Sequence, residues 1–186
     1  RTAVTIASEP GPGGLFPVSQ PVLFALSGAA GRATAACGVG VYRDDLLAAG
    51  GEPFTGDLFT CEPVNNLVHH QRPVPDGVTY AGTRVGTERE REFLASTDPW
   101  FRPVQARTGP DGALWVVDMC RYVIEHPVWI PEETRAGLDT RAGEDRGRIW
   151  RVVATDDAGV PRLRSPPRLD RLRGAELAAA MDTPNG

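Results

Sequence analysis

Six side chains carry most of the chemistry this sequence offers: Glu62, Asn66, Arg102, Asp118, Arg121 and His126. Arg102 and Arg121 bear planar guanidinium groups suited to bidentate recognition of a carboxylate, so with Asp118 they are candidates for holding an anionic cofactor or substrate. The alternative is a brace in which the arginines pair with Asp98 and Asp118. Glu62, Asn66 and Asp118 supply carboxylate and amide oxygens, the donor set of a hard cation such as calcium. His126, between Glu125 and Pro127, is a candidate catalytic base if its loop folds over the site; a hydrogen bond to a loop carbonyl is the alternative. Arg43-Asp44-Asp45 and Asp111 read as turn or salt-bridge residues. Cys37, Cys61 and Cys120 form neither a CxxC pair nor the CxxCH pattern of covalent haem attachment. They read as buried free thiols, with a Cys37–Cys61 bridge between neighbouring strands as the alternative in an oxidising compartment.

Short strands must position these residues. Ala33–Tyr42 is a small-residue strand in which Gly38 and Gly40 permit close backbone packing. Asp57–Glu62, Leu67–Arg72 and Val78–Val85 follow, separated by the turns Pro63–Asn66 and Pro75–Gly77, so that four strands make a complete antiparallel unit of the kind found in a β-propeller blade. A second unit begins with Val104–Arg107 and Ala113–Val117 around the turn Gly109-Pro110-Asp111-Gly112. Its third strand, Gly147–Val153, returns only after about thirty residues, a connection long enough to suggest a functional loop. Ala3–Ala7 is a further strand candidate. From Asp156 to Arg168 the chain turns Pro- and Arg-rich, and Leu169, Leu172, Leu177, Ala180 and Met181 then recur at helical spacing.

The formal net charge is -4 over 186 residues, and all 20 basic residues are Arg, spread among 24 acidic ones. That balance argues against nucleic acid as a partner. No apolar run is long enough to span a bilayer as a helix. The Arg at position 1 and the end shortly after a helical run has begun predict a piece of a longer protein.

Several phrases in order, Ala35-Ala-Cys-Gly38, Tyr42-Arg-Asp-Asp-Leu-Leu47, Phe59-Thr-Cys-Glu-Pro-Val-Asn-Asn-Leu-Val-His69, Glu92-Phe-Leu-Ala-Ser96, Trp100-Phe-Arg-Pro-Val104, Gly109-Pro-Asp-Gly-Ala113, Asp118-Met-Cys-Arg-Tyr122 and Ile124-Glu-His-Pro127, resemble the large membrane-bound dehydrogenases of planctomycetes and their relatives. The resemblance covers nearly the whole chain and departs at Cys120, where that family usually carries Tyr. It implies an all-β fold: the C-terminal blades of an incomplete propeller similar to soluble quinoprotein glucose and sorbosone dehydrogenases over residues 1–155, a linker over 156–168, and the first helix of a HEAT-like region over 169–186. It further implies a periplasmic or envelope-associated enzyme that oxidises a sugar or alcohol with pyrroloquinoline quinone and calcium, passing electrons to a downstream domain that carries haem c. The fragment alone is expected to be inactive, its catalytic histidine lying in earlier blades. A non-catalytic propeller that binds polysaccharide or protein at the cell surface is the competing expectation.

Propeller geometry then sorts residues by face. Arg32 and Arg102 begin inner strands at the mouth, Glu62 and Asp118 end second strands there, and Asn65, Asn66, Arg121, Glu125 and His126 lie on mouth-side connections. Arg43, Asp44, Asp45 and Asp111 fall on the opposite face. His69 and His70 alternate on a third strand, so one is expected to pack and the other to meet solvent. Trp115, Trp129 and Trp150 are expected to pack, with Trp100 nearer the mouth.

Overall fold

A computed structural model describes residues 14–20 and 31–185. The strand expected over Ala3–Ala7 lies outside the described residues. The rest is built mainly from antiparallel strands: β1 (Cys37–Val41), β2 (Ala48–Ala49), β3 (Glu52–Pro53), β4 (Leu58–Glu62), β5 (Leu67–Asp76), β6 (Thr79–Thr83), β7 (Leu94–Ala95), β8 (Pro103–Thr108), β9 (Leu114–Asp118), β10 (Arg148–Val152), β11 (Ala154–Thr155) and β12 (Pro161–Arg162). The described residues include two short helices, α1 (Glu132–Arg135) and α2 (Ala175–Ala180).

The larger sheet steps through β1, β4, β5 and β6, with β7 added against β5. The smaller one steps through β8, β9 and β10. Each is a meander in which neighbours in sequence order of the main strands are neighbours in space, the arrangement that short turns favour. β5 runs four residues past the expected end at Arg72, through Pro73 and Pro75. Proline is tolerated there because β4 begins opposite Gln71, leaving one edge of the outer half of β5 without a ladder partner among the described residues.

The sheets meet at their first strands. A β-carbon on Gly38 would overlap the Val104 carbonyl oxygen and stand 2.7 Å from the Gln105 Cα, and one on Gly40 would lie 3.0 Å from the Ala106 carbonyl carbon. Only glycine lets β1 and β8 come this close. Gly38 also adopts a φ of +55°, at a bulge that inserts one extra residue into β1 between Cys37 and Gly40. Tyr42, Phe54, Phe59, Cys61, Val68, Phe101, Ala106, Leu114 and Val116 form a common apolar core. Tyr42 ties the turn of the second sheet to the first, its hydroxyl donating to the Gly112 carbonyl at 2.6 Å and accepting from the Leu47 N–H at 3.1 Å. Burial pushes that phenol up to about 12.

The single helix expected from residue 169 is interrupted. A 3-10 turn over Leu169–Arg171 is separated from α2 by Gly174, whose φ of 49° no α-helix accommodates. The segment instead docks on the turns of the sheets. Arg164 pairs with Asp44 at 2.8 Å and with Asp45, and the Asn185 amide donates to Asp44 at 2.9 Å and to the Gly109 carbonyl at 2.8 Å.

Candidate functional site

The sequence-predicted site residues gather where β4 ends, β8 begins and β9 ends. Pro63–Asn66 turns the chain between β4 and β5, and Asn66 takes a φ of 56°, a left-handed conformation that Asn accepts more readily than most residues. Its amide nitrogen donates to the Phe101 carbonyl at 2.6 Å, and its amide oxygen accepts from the Ser19 hydroxyl at 2.5 Å. The neighbouring Asn65 donates to the Arg32 carbonyl at 2.9 Å. Glu62 is buried and accepts the backbone N–H groups of Thr34 and Ala35 at 3.1–3.2 Å. Burial pushes its carboxyl up, against the opposing pull of those N–H donors.

Arg102 is 1% exposed, and its guanidinium is spent on backbone carbonyls. Nε donates to Arg121 at 2.9 Å, Nη1 to Pro63 at 2.7 Å and Nη2 to Tyr122 at 2.7 Å. One side chain thereby joins the β4–β5 turn to the start of the long loop after β9. Burial holds its pKa below the ordinary arginine value, with nearby acidic groups, Glu125 first, opposing. Asp118 is equally committed. One carboxylate oxygen accepts the backbone N–H groups of Arg102 and Cys120, both at 2.8 Å, and the other accepts Arg148 Nε and Trp150 Nε1, both at 2.9 Å. The first pair fixes the β8 start and the turn at Cys120, itself at a φ of 54°; the second fixes the returning strand β10.

These bonds decide how well the residues suit a ligand. A quinone carboxylate would have to compete with three carbonyls for a buried Arg102, and calcium would have to displace N–H donors from Glu62 and Asp118. Neither group fits these side chains as they stand. Among the described residues no cluster of three or more His, Cys, Asp or Glu is placed to hold a metal ion. The bracing role, weighed equally for the arginines from sequence, is the one Arg102 performs, with carbonyls rather than Asp98 and Asp118 as its guanidinium partners.

Arg121 is different. It is half-buried and lines an open hollow of about 310 Å³ with Met119, Val123, Gly143, Glu144 and Arg146. His126 is exposed, and its Nδ1 accepts the Val128 N–H at 3.2 Å, capping a 3-10 turn over Pro127–Trp129. The expected bond to a loop carbonyl is therefore replaced by an N-cap in which the ring is the acceptor. Trp129, expected to pack, is 60% exposed.

Sequence reasoning missed a second polar cluster. His69 and His70 are both buried, although alternation placed one in solvent. The loop over Glu88–Glu92 folds over them. His69 Nδ1 lies 2.7 Å from Glu92, which also pairs with Arg84 at 2.7 Å. His70 stands between Glu88 at Nδ1 and Asp57 at Nε2, both at 3.0 Å. The triad resembles an acid–base relay, but the His70 ring is fully buried, stacked 4.4 Å from Phe59 and edged by Phe54 and Phe93. It is a structural tie. Two adjacent histidines followed by a nearby acidic run were the only signal for it.

The fold and site define a class: a β-rich domain of two antiparallel meanders clasped by buried polar side chains at one end. Residues 3–156 match the model of the family described as a domain of unknown function, DUF7133, and the chain belongs to that family. No curated protein matches the chain, and no solved structure matches it. No helix among the described residues is long and apolar enough to cross a membrane.

Proposed function

We propose that β1, β4, β5, β6 and β8, β9, β10 are two neighbouring blades of a β-propeller, and that the full-length protein is a periplasmic dehydrogenase that oxidises a sugar or alcohol. The observation that carries the propeller reading is the contact of β1 with β8. Two meanders whose first strands approach each other across Gly38 and Gly40 of β1, and step outward from there, have the arrangement of adjacent blades about a common axis. The dehydrogenase reading rests on the sequence phrases quoted above.

In this reading the chain forms a wall of the enzyme. Arg102, Asp118, Asn66 and Glu62 hold the mouth-side turns in place, and Arg121 lines an open hollow with Glu144 and Arg146. Pyrroloquinoline quinone and calcium belong to other parts of the protein, as do the further HEAT-like repeats and the cytochrome c domain. Exposed Val128 and Trp129 in the long loop support a second reading, a non-catalytic propeller that binds polysaccharide or protein.

Full-length protein reconstituted with pyrroloquinoline quinone and calcium, and assayed by dye reduction over a panel of sugars and alcohols, separates the two. Quinone-dependent reduction is the expected result. Failure to retain quinone, together with binding of a polysaccharide that Trp129→Ala abolishes, would establish the second reading instead.

A further inference from the structure

We propose that Cys37 and Cys61 are a redox pair, two free thiols set opposite each other on adjacent strands and able to close into a cross-strand disulfide that pins β1 to β4. The inference goes beyond the proposed activity and does not depend on it.

Cys37 and Cys61 are direct partners in the antiparallel β1–β4 ladder. Facing residues in such a ladder have Cα atoms about 4.5 or 5.5 Å apart, according to the type of pair, and side chains on the same side of the sheet. Both spacings fall inside the roughly 4.4–6.8 Å that a disulfide spans, so the backbone has no distance to cover. Both sulfurs belong to one neighbourhood: Cys61 is part of the apolar core and Cys37 packs against it. The bulge at Gly38 gives the strand a local adjustment immediately beside Cys37.

The two thiols differ in access, and this sets the order of events. Cys61 is fully buried, whereas Cys37 is partly exposed and holds the Val104 carbonyl through a 3.7 Å thiol contact. Burial, reinforced by the neighbouring thiol, pushes Cys61 up to about 12, and burial together with Glu62 raises Cys37. Both are thus protonated near neutrality and exchange slowly. With a small-molecule disulfide as oxidant, the Cys37 sulfur displaces one thiol and forms a mixed disulfide. The Cys61 sulfur then attacks Cys37 and displaces the second thiol. Two electrons pass from the cysteine pair to the oxidant, and its two leaving thiolates take up the two protons the cysteines lose. Cys120, in the turn after β9, has no place in this exchange.

The test is equilibration of the full chain with oxidised glutathione in mildly alkaline buffer, followed by thiol counting and non-reducing peptide mass spectrometry. The expected result is loss of two of three thiols, a Cys37–Cys61 linked peptide and a free Cys120. Cys61→Ser should arrest exchange with glutathione on Cys37, and Cys120→Ser should change nothing. Three free thiols at equilibrium, a glutathione adduct that persists on Cys37 in the unaltered chain, or a bridge that includes Cys120 would each overturn the assignment.

Discussion

Replacing Asp118 by Asn separates a brace from a ligand site. The amide can keep one oxygen for the Arg102 and Cys120 N–H groups, but its nitrogen then faces two donors, Arg148 Nε and Trp150 Nε1, that the carboxylate accepted at 2.9 Å. Two charge-assisted hydrogen bonds are lost, each worth about 1.5–3 kcal/mol. Water recovers part of this, since the Arg148 side chain is 34% exposed and Trp150 45% exposed. The lower end applies, and the expected loss is about 3 kcal/mol in all. For a chain of this size that is a melting-point decrease of about 6–12 °C. Calorimetry and urea unfolding measure it, the urea midpoint falling without a change in slope. Trp150→Phe alone removes one donor and should cost about 1 kcal/mol, and the double variant should cost less than the sum because both act on one carboxylate. A carboxylate kept for ligand binding at the expense of folding would show the reverse, a melting point unchanged or raised on substitution. A shift within about one degree would refute the reasoning.

Three further outcomes follow from the same geometry. Gly38→Ala forces a β-carbon onto the Val104 carbonyl at a φ of +55°, and should cost at least about 2 kcal/mol in urea unfolding, more than a left-handed backbone penalty alone. His70→Phe keeps the aromatic stack but leaves Glu88 buried without its ring partner, so stability should fall by about 3 kcal/mol despite similar packing; an unchanged midpoint would show that the triad contributes nothing. Burial alone would raise Glu92, but hydrogen bonds from His69 and Arg84 outweigh it and hold its carboxyl below the usual range. Its stabilisation is therefore complete above the unfolded value of about 4.3 and is lost as pH falls through the lower folded value, and Glu92→Gln should flatten the acid limb of a stability–pH profile.

Strand positions in the first meander were legible because apolar runs alternate with turns rich in Pro, Asn and Gly, and each turn fixes its neighbours. The outer half of β5 was not, since Pro73 and Pro75 argue for a break until the missing ladder partner at that edge is known. The helix over 169–181 failed for the opposite reason: its apolar spacing is genuine, but Gly174, at a φ of 49°, interrupts it. At the site, residue type and approximate location came from sequence, and Arg102, Asp118, Glu62 and Asn66 do converge. Their roles did not, because whether an arginine meets a ligand or three backbone carbonyls depends on loop geometry that no local pattern encodes. The same holds for His70, whose two carboxylate partners lie 13 and 18 residues away.

The central claim is spatial, that the two meanders are adjacent blades with β1 and β8 innermost. A density map of the full-length protein tests it directly. In that map β1 and β8 should line a common central axis, with β6 and β10 toward the rim and the Arg102–Asp118 clasp at one mouth of the channel. A map in which the two sheets stack face to face as a sandwich, or in which β1 and β8 lie on the outer rim, would contradict it.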